Sequence, residues 1–368
     1  MQKAYLADSV FTGNEMLDGH AVLVDNHIVA GIVEKSAIPS GYTVADHQAC
    51  LLAPAFIDLQ LYGGNGKLFA HSLDITSIEA TYDYCLSGGC THFMITMATN
   101  SMENFIRGIE VAGEYMASGK KGLLGIHLEG PYINPKKKGA HIEKFIKKPT
   151  REEVLMLLEK GRGIFKMITV APEQCSDEII RLLLDQGVLV SAGHSDAGFS
   201  EATHAFDLGI PTATHFFNAM SPLQGRAPGM VGAVYAHATV QSSIICDGVH
   251  VDFESVRLSK KIMGERLFFI TDSVPEIKEG LYQHIFKGDR YTLPDGTLSG
   301  SCMTMMSTLK NAVEKVGIPL VEALKMCSAY PAALLKDAGA GLGKIKVGEA
   351  ADFLLINREH LTLQEIVQ

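Results

Sequence analysis

Four residues of this chain carry the chemistry most directly readable from type and position: Glu129, His194, His215 and Asp272. One carboxylate and two imidazoles suffice to hold a divalent ion that keeps a coordination position open for water, as catalytic metal sites do. A further carboxylate beside such an ion has a separate task, taking a proton from the water and returning it to a leaving amine. Each of the four lies near the end of a short apolar run, within GLLGIHLEGP, VLVSAGHSD, TATHFFNAM and RLFFITDS. A lone inward histidine is an ordinary satisfied core residue. Four such groups at corresponding run ends form a constellation, because a desolvated carboxylate needs a compensating charge that a metal supplies.

The elements that must position them are eight apolar runs: Ala55 to Leu61, His92 to Met97, Leu123 to Leu128, Phe165 to Val170, Val188 to Ala192, Thr212 to His215, Ser243 to Cys246 and Leu267 to Thr271. Helix-length amphipathic segments separate most of them, which is the rhythm of βαβ units. Eight such units predict an α/β fold built on a TIM-like (β/α)8 barrel, whose active sites form at the C-terminal ends of the strands, over an open sheet of about six strands. The strand period of two sends His127 and Glu129 inward. The same arithmetic places Val188, Val190, Ala192 and His194 inward, then Ala213 and His215, then Phe268, Ile270 and Asp272. The turn-rich segment 278–300 reads as an excursion after the eighth strand. Residues 1–50 alternate apolar runs with turns, as β-hairpins do, and the tail carries strand-like segments Lys344 to Val347 and Asp352 to Ile356. Both termini are expected to share a small β-sandwich, 1–50 with 336–368, around a barrel of 51–335.

The chain has 368 residues, 47% hydrophobic and 20% charged, which excludes a disordered or fibrous protein. Lys+Arg number 32 against Asp+Glu 41, a formal charge of -9 that argues against general nucleic-acid binding and requires a local basic pocket for any anionic substrate. Asp8 interrupts the segment where a signal peptide would need an apolar core, and no run reaches the roughly 18 apolar residues of a membrane span, so a cytoplasmic protein without membrane association is expected. Seven cysteines without a C-x-x-C indicate neither a disulfide framework nor a zinc ribbon. GAGLG at 339–343 precedes a hairpin and opens no helix, so it is no dinucleotide fingerprint.

Blocks of sequence resemble the amidohydrolase superfamily, and within it the N-acetylglucosamine-6-phosphate deacetylase family. They are PAFIDLQLYGG at 54–64, HLEGP at 127–131, KKGAH at 137–141, GHSDA at 193–197, THFFNAM at 214–220, GRAPG at 225–229, DGVH at 247–250, TDS at 271–273 and LSGS at 298–301. Most amidohydrolases end the first strand in H-x-H, which holds one of two metals, and this family often has Q-x-N there. Here the positions are Gln60 and Tyr62, so one divalent metal is expected on Glu129, His194 and His215. Zn2+ is the first expectation, and Fe2+, Mn2+ or Co2+ suit the same donors. Tyr62 departs even from Q-x-N and is expected to fill the space of the lost metal.

The resemblance further implies that Asp272 is the proton carrier and that His141 polarises the acetyl carbonyl. It implies that Arg226 and His250 bind a sugar phosphate, that Asn218 and Ala219 face this ligand, and that Ala140 with Leu298, Ser299 and Gly300 line the pocket. Arg226 also has an independent case, as a planar charged fork suited to phosphate. The implied reaction is deacetylation of N-acetylglucosamine-6-phosphate in a homodimer, in which Arg226 reaches the neighbouring site. The competing readings are a sibling acting on N-acetylgalactosamine-6-phosphate or another N-acyl compound, and a non-catalytic barrel scaffold.

Overall fold

In a computed structural model, which describes residues 2–335 and 339–368, eight parallel strands follow one another around a barrel in chain order. They are Phe56–Leu61, Cys90–Ala98, Leu123–Glu129, Phe165–Val170, Leu189–Ala192, Thr212–Ala213, Gln241–Ile244 and Leu267–Phe269. The seam between the last and first strands closes by backbone bonds from Asp272 N–H to Gln60 O and from Tyr62 N–H to Ser273 O, both 3.0 Å. Asp58, buried inside the seam, reinforces it. Its carboxyl accepts from the Thr271 hydroxyl, from Thr271 N–H at 3.3 Å and from Gln60 N–H at 3.1 Å.

Helices cover the barrel, and their starts follow from local chemistry. Asp74, Ser101, Thr150, Ser176 and Asp252 each accept a bond from a backbone N–H in the first turn of the helix they precede. Segment 278–300 is the expected excursion, paired as three short antiparallel strands. No helix among the described residues is long and apolar enough to cross a membrane.

Inside the barrel the structure corrects the simple alternation. His127 shares the inner face with Glu129, and its Nε2 lies 2.8 Å from Thr169 Oγ1. Thr169 in turn bonds Thr214, and Thr214 bonds Ser191, at 2.8 and 2.6 Å. Ser191 and Thr214 therefore face inward, and Val190, Ala192 and Ala213 face the helices, opposite to expectation. Thr271 likewise bonds the inward Asp58, so Ile270 also faces out. His194, His215 and Asp272 still reach the mouth because each sits just past its strand in a left-handed backbone, with φ of 48°, 36° and 53°. That conformation turns back a side chain that alternation would send outward. It is unfavourable for residues other than glycine and marks functional sites.

The terminal residues form one seven-stranded sheet, with Phe353–Asn357 and Thr362–Val367 added beside Thr43–Pro54. Period two divides its faces. Cys50, Leu52, Phe353 and Leu355 enclose a small core with Tyr5 and Val22, while Leu51, Ala53, Leu354 and Ile356 join the barrel's core. The strand Thr43–Pro54 runs on, through Ala55 alone, into the first barrel strand. The expected strand Lys344 to Val347 is absent: Gly343 turns the chain at φ 69°, and the backbone bond there is Ile345 N–H to Thr12 O. The domain boundary expected at residue 336 lies outside the described residues.

Burial pushes the Asp58 carboxyl up to about 7 against its hydrogen bonds. A carboxyl raised on folding contributes stability at low pH that is lost as pH rises towards that value. Relative to Asp58→Asn, the metal-free wild-type chain should therefore lose stability between about pH 4 and pH 7. Urea unfolding of both chains across that range checks this, and parallel stability curves would contradict it.

Candidate active site

At the mouth, three atoms that could hold a metal stand around one point. Glu129 Oε1 lies 3.0 Å from His215 Nε2 and 3.3 Å from His194 Nε2, and the two imidazole nitrogens are 3.0 Å apart. The edge of a zinc tetrahedron with bonds of about 2.05 Å is about 3.3 Å, so these atoms make one face of such a polyhedron and leave its fourth vertex free. Gly193, just before His194, brings the turn close to its neighbours: a Cβ there would stand 2.7 Å from Thr169 Cγ2.

Hydrogen bonds at the far side of His194 and His141 set their tautomers. His194 Nδ1 lies 2.8 Å from the Lys137 carbonyl, which only accepts, so Nδ1 carries the proton and Nε2 offers a lone pair. His141 is the reverse. Its Nδ1 accepts from Thr99 N–H at 3.2 Å and lies 2.7 Å from Thr99 Oγ1, so Nε2 carries the proton and donates to Glu129 Oε2 at 3.1 Å. Glu129, His141 and His194 are also close enough to be read as a metal triad. The tautomer of His141 makes it a hydrogen-bond donor, and His215 Nε2, 3.0 Å from Glu129 Oε1, is the alternative third donor. Tyr282 supports this arrangement from the excursion, its hydroxyl donating to Thr99 O at 2.6 Å.

Charge is concentrated on two carboxylates. Burial opposes ionisation of Glu129, yet the imidazoles of His141 and His194 hold its carboxyl well below the usual range. Asp272 is raised, by burial first, with the charge of Glu129 adding to the effect against His215. A raised carboxyl beside an open coordination position suits a group that must both take and give a proton. Burial, followed by the charge of His194, pushes His141 down to about 4, so it is neutral at pH 7. Burial is the largest effect on His215 and lowers it, but the hydrogen bond to Glu129 and the charges of Glu129 and Asp272 together raise it, so the seat attracts positive charge.

These groups border an open cavity of about 160 Å³. Its wall includes Tyr62, Glu129, Ala140, His141, His194, His215, Asn218, Ala219, His250, Asp272, Leu298, Ser299 and Gly300. Gln60 sits behind the wall, fully buried, its amide 2.8 Å from Asp272 Oδ1. His250 is held through Nδ1 by Asp247 at 2.6 Å, leaving Nε2 for the cavity. Arg226 is exposed on the loop after Met220 and lies outside the wall of its own chain. Sequence reasoning missed Leu68, Ala70, Ala98, Gly139, Val274, Tyr282 and His284. Tyr282 and His284 stack at 6.3 Å and 7°, and their i, i+2 spacing in an excursion from the active face was the available signal.

The amidohydrolase family pattern matches residues 51–367, and a pattern described as the NagA composite domain matches residues 7–48. The chain belongs to the amidohydrolase family. It is 35% identical to the N-acetylglucosamine-6-phosphate deacetylase of Haemophilus influenzae, with 100% of this chain and 98% of that one aligned. It is 30% identical to the N-acetylgalactosamine-6-phosphate deacetylase of Shewanella, over 96% and 92% of the two chains. The crystal structure of the N-acetylglucosamine-6-phosphate deacetylase from Pasteurella multocida superimposes with a TM-score of 0.94 at 33% identity, covering 100% of this chain and 98% of that one. An Asp-to-Ala mutant of the Mycobacterium smegmatis deacetylase, solved in complex with N-acetyl-D-glucosamine-6-phosphate, superimposes at 0.92 with 26% identity, covering 100% and 98%. This amidohydrolase is thus a hydrolase of carbon–nitrogen bonds.

The two triads separate by mutation. His215→Ala should weaken zinc binding by at least about a hundredfold, whereas His141→Ala should change it by less than about tenfold. Competition with a chromophoric chelator measures both, and equal losses would favour a seat that includes His141.

Proposed function

We propose that this chain removes the acetyl group of N-acetylglucosamine-6-phosphate, giving acetate and glucosamine-6-phosphate. The observation that carries the reading is the constellation at the mouth, a three-atom metal seat beside a raised carboxyl and a neutral imidazole N–H, in a chain whose full length aligns with deacetylases of that name. The donors fit one divalent ion on Glu129, His194 and His215, with Zn2+ the first choice. Such an ion supplies Lewis acidity, for activating water and polarising the amide carbonyl.

The protein's own groups do the rest. Asp272 has Oδ1 fixed by Gln60 and lines the cavity, so its free oxygen takes the proton of the attacking water. It then delivers that proton to the sugar nitrogen, because the amine leaves only when protonated. His141 Nε2–H, which rests on Glu129 Oε2 at 3.1 Å in the free site, turns to the carbonyl oxygen as negative charge develops there. His250 Nε2 serves the phosphate end. Among the described residues no lysine or arginine borders the cavity, while Arg226 is exposed on the loop that follows the wall residues Asn218 and Ala219, which supports a homodimer in which the partner subunit's Arg226 completes the phosphate site. All seven cysteines are free, in keeping with a cytoplasmic enzyme.

The relatives that act on N-acetylgalactosamine-6-phosphate favour a second reading, which differs at one hydroxyl. Acetate release from each sugar phosphate, before and after chelation, decides between them. Chelator-sensitive release with preference for the glucosamine substrate is expected, and preference for the galactosamine substrate would replace the reading. Asp272→Asn should lower kcat by about a thousandfold with metal content unchanged, and near-normal turnover would remove the proton role. Arg226→Ala should raise KM by about tenfold or more with little change in kcat, and an unchanged KM would take it out of the phosphate site.

A further inference from the structure

Glu129 and Asp272 place two carboxylates in one buried corner, 1% and 8% exposed, and the three-atom seat compensates the first from one side only. The donors that join the two carboxylates are neutral. Gln60 Nε2 lies 3.0 Å from Glu129 Oε1 and 2.8 Å from Asp272 Oδ1. The Tyr62 hydroxyl donates to Glu129 Oε2, is 2.9 Å from the Gln60 amide nitrogen and lies 3.3 Å from Asp272 Oδ1. The tally of hydrogens is informative. Gln60 has two N–H groups and Tyr62 one O–H, three donors for three carboxylate oxygens. The fourth oxygen, Asp272 Oδ2, has no hydrogen-bond partner among the described residues, in a side chain that lines the cavity.

We propose that Tyr62, with Gln60, is a positioning pair that does the work of a second cation. It joins the two carboxylates through neutral donors, leaves Glu129 Oε1 to face the imidazoles of the seat, and fixes Asp272 so that Oδ2 alone points to the reacting water. Because Tyr62 and His141 both occupy Glu129 Oε2, that oxygen cannot bridge to another ion, and the chain holds one metal. A phenol whose O–H is spent on Glu129 Oε2 acts as a donor, which separates Tyr62 from an imidazole in the same place. The part of this inference that concerns turnover rests on the deacetylase reading, while the part that concerns metal count does not.

The test uses the full-length protein, Tyr62→Phe, and the double variant Gln60→His with Tyr62→His. After dialysis against micromolar zinc, metal content per chain should be one for wild type and Tyr62→Phe and two for the double variant. With N-acetylglucosamine-6-phosphate, Tyr62→Phe should lower kcat by about tenfold or more with KM within about threefold, the signature of a misplaced proton carrier. Two metals in wild type would overturn the proposal. So would full kcat in Tyr62→Phe, or a single metal in a double variant whose melting temperature matches wild type. If the double variant does not fold, the wild-type count and the Tyr62→Phe kinetics still decide. If wild type fails to release acetate from either sugar phosphate, the substrate reading falls, and the metal counts still judge the pair.

Discussion

A negative charge buried at the mouth of the barrel organises this molecule. Glu129 ends the third barrel strand almost fully removed from water, where an unpaired carboxylate would be too costly to keep. The donors around it answer that charge, with imidazoles from the turns after the fifth and sixth strands, an N–H from the loop after the third, and amide and phenol donors from the end of the first. The carboxylate thereby fixes the relative heights of five segments of chain. Their convergence is a consequence of electrostatics in a dry place as much as of strand geometry.

Much of this was legible in the sequence. The eight apolar runs lie where barrel strands form, and the residues at their ends meet in one cavity, because burial and period follow directly from side-chain polarity. The route by which they meet was not legible. Alternation put His194, His215 and Asp272 inward by carrying a strand beyond its end, whereas Ser191 and Thr214 hold the inner face and a left-handed residue makes the final turn. A period of two says nothing about where a strand stops, and a histidine or aspartate at positive φ has no local signature like that of glycine. Tyr282 and His284 escaped notice for a related reason. They belong to an excursion whose return to the mouth is decided by tertiary bonds such as that from Tyr282 to Thr99.

The backbone strain at the mouth has a thermodynamic counterpart. Phe217 and Ala219 share the left-handed conformation with His194, His215 and Asp272, so five non-glycine residues near the cavity occupy a region that each would avoid in a free chain. They persist because the barrel beneath them is over-determined by parallel ladders and by a hydroxyl network of His127, Thr169, Ser191 and Thr214. Rigid support of this kind keeps ligand atoms at fixed separations and limits the reorganisation that a reaction would otherwise require.

The way the terminal sheet is woven has an effect on how the protein comes into being. Strand Thr43–Pro54 leads through one residue into the barrel, yet its neighbour Phe353–Asn357 is made only after the whole barrel. Until that segment emerges from the ribosome, Cys50 to Pro54 present an open edge beside the strand that carries Gln60, and both faces of this edge are apolar. Pairing across nearly the whole chain is slow and exposes nascent protein to association with other chains. Strands Phe353–Asn357 and Thr362–Val367 therefore act as a clasp: their docking covers the edge that the earlier strands leave open while the barrel between them is being made.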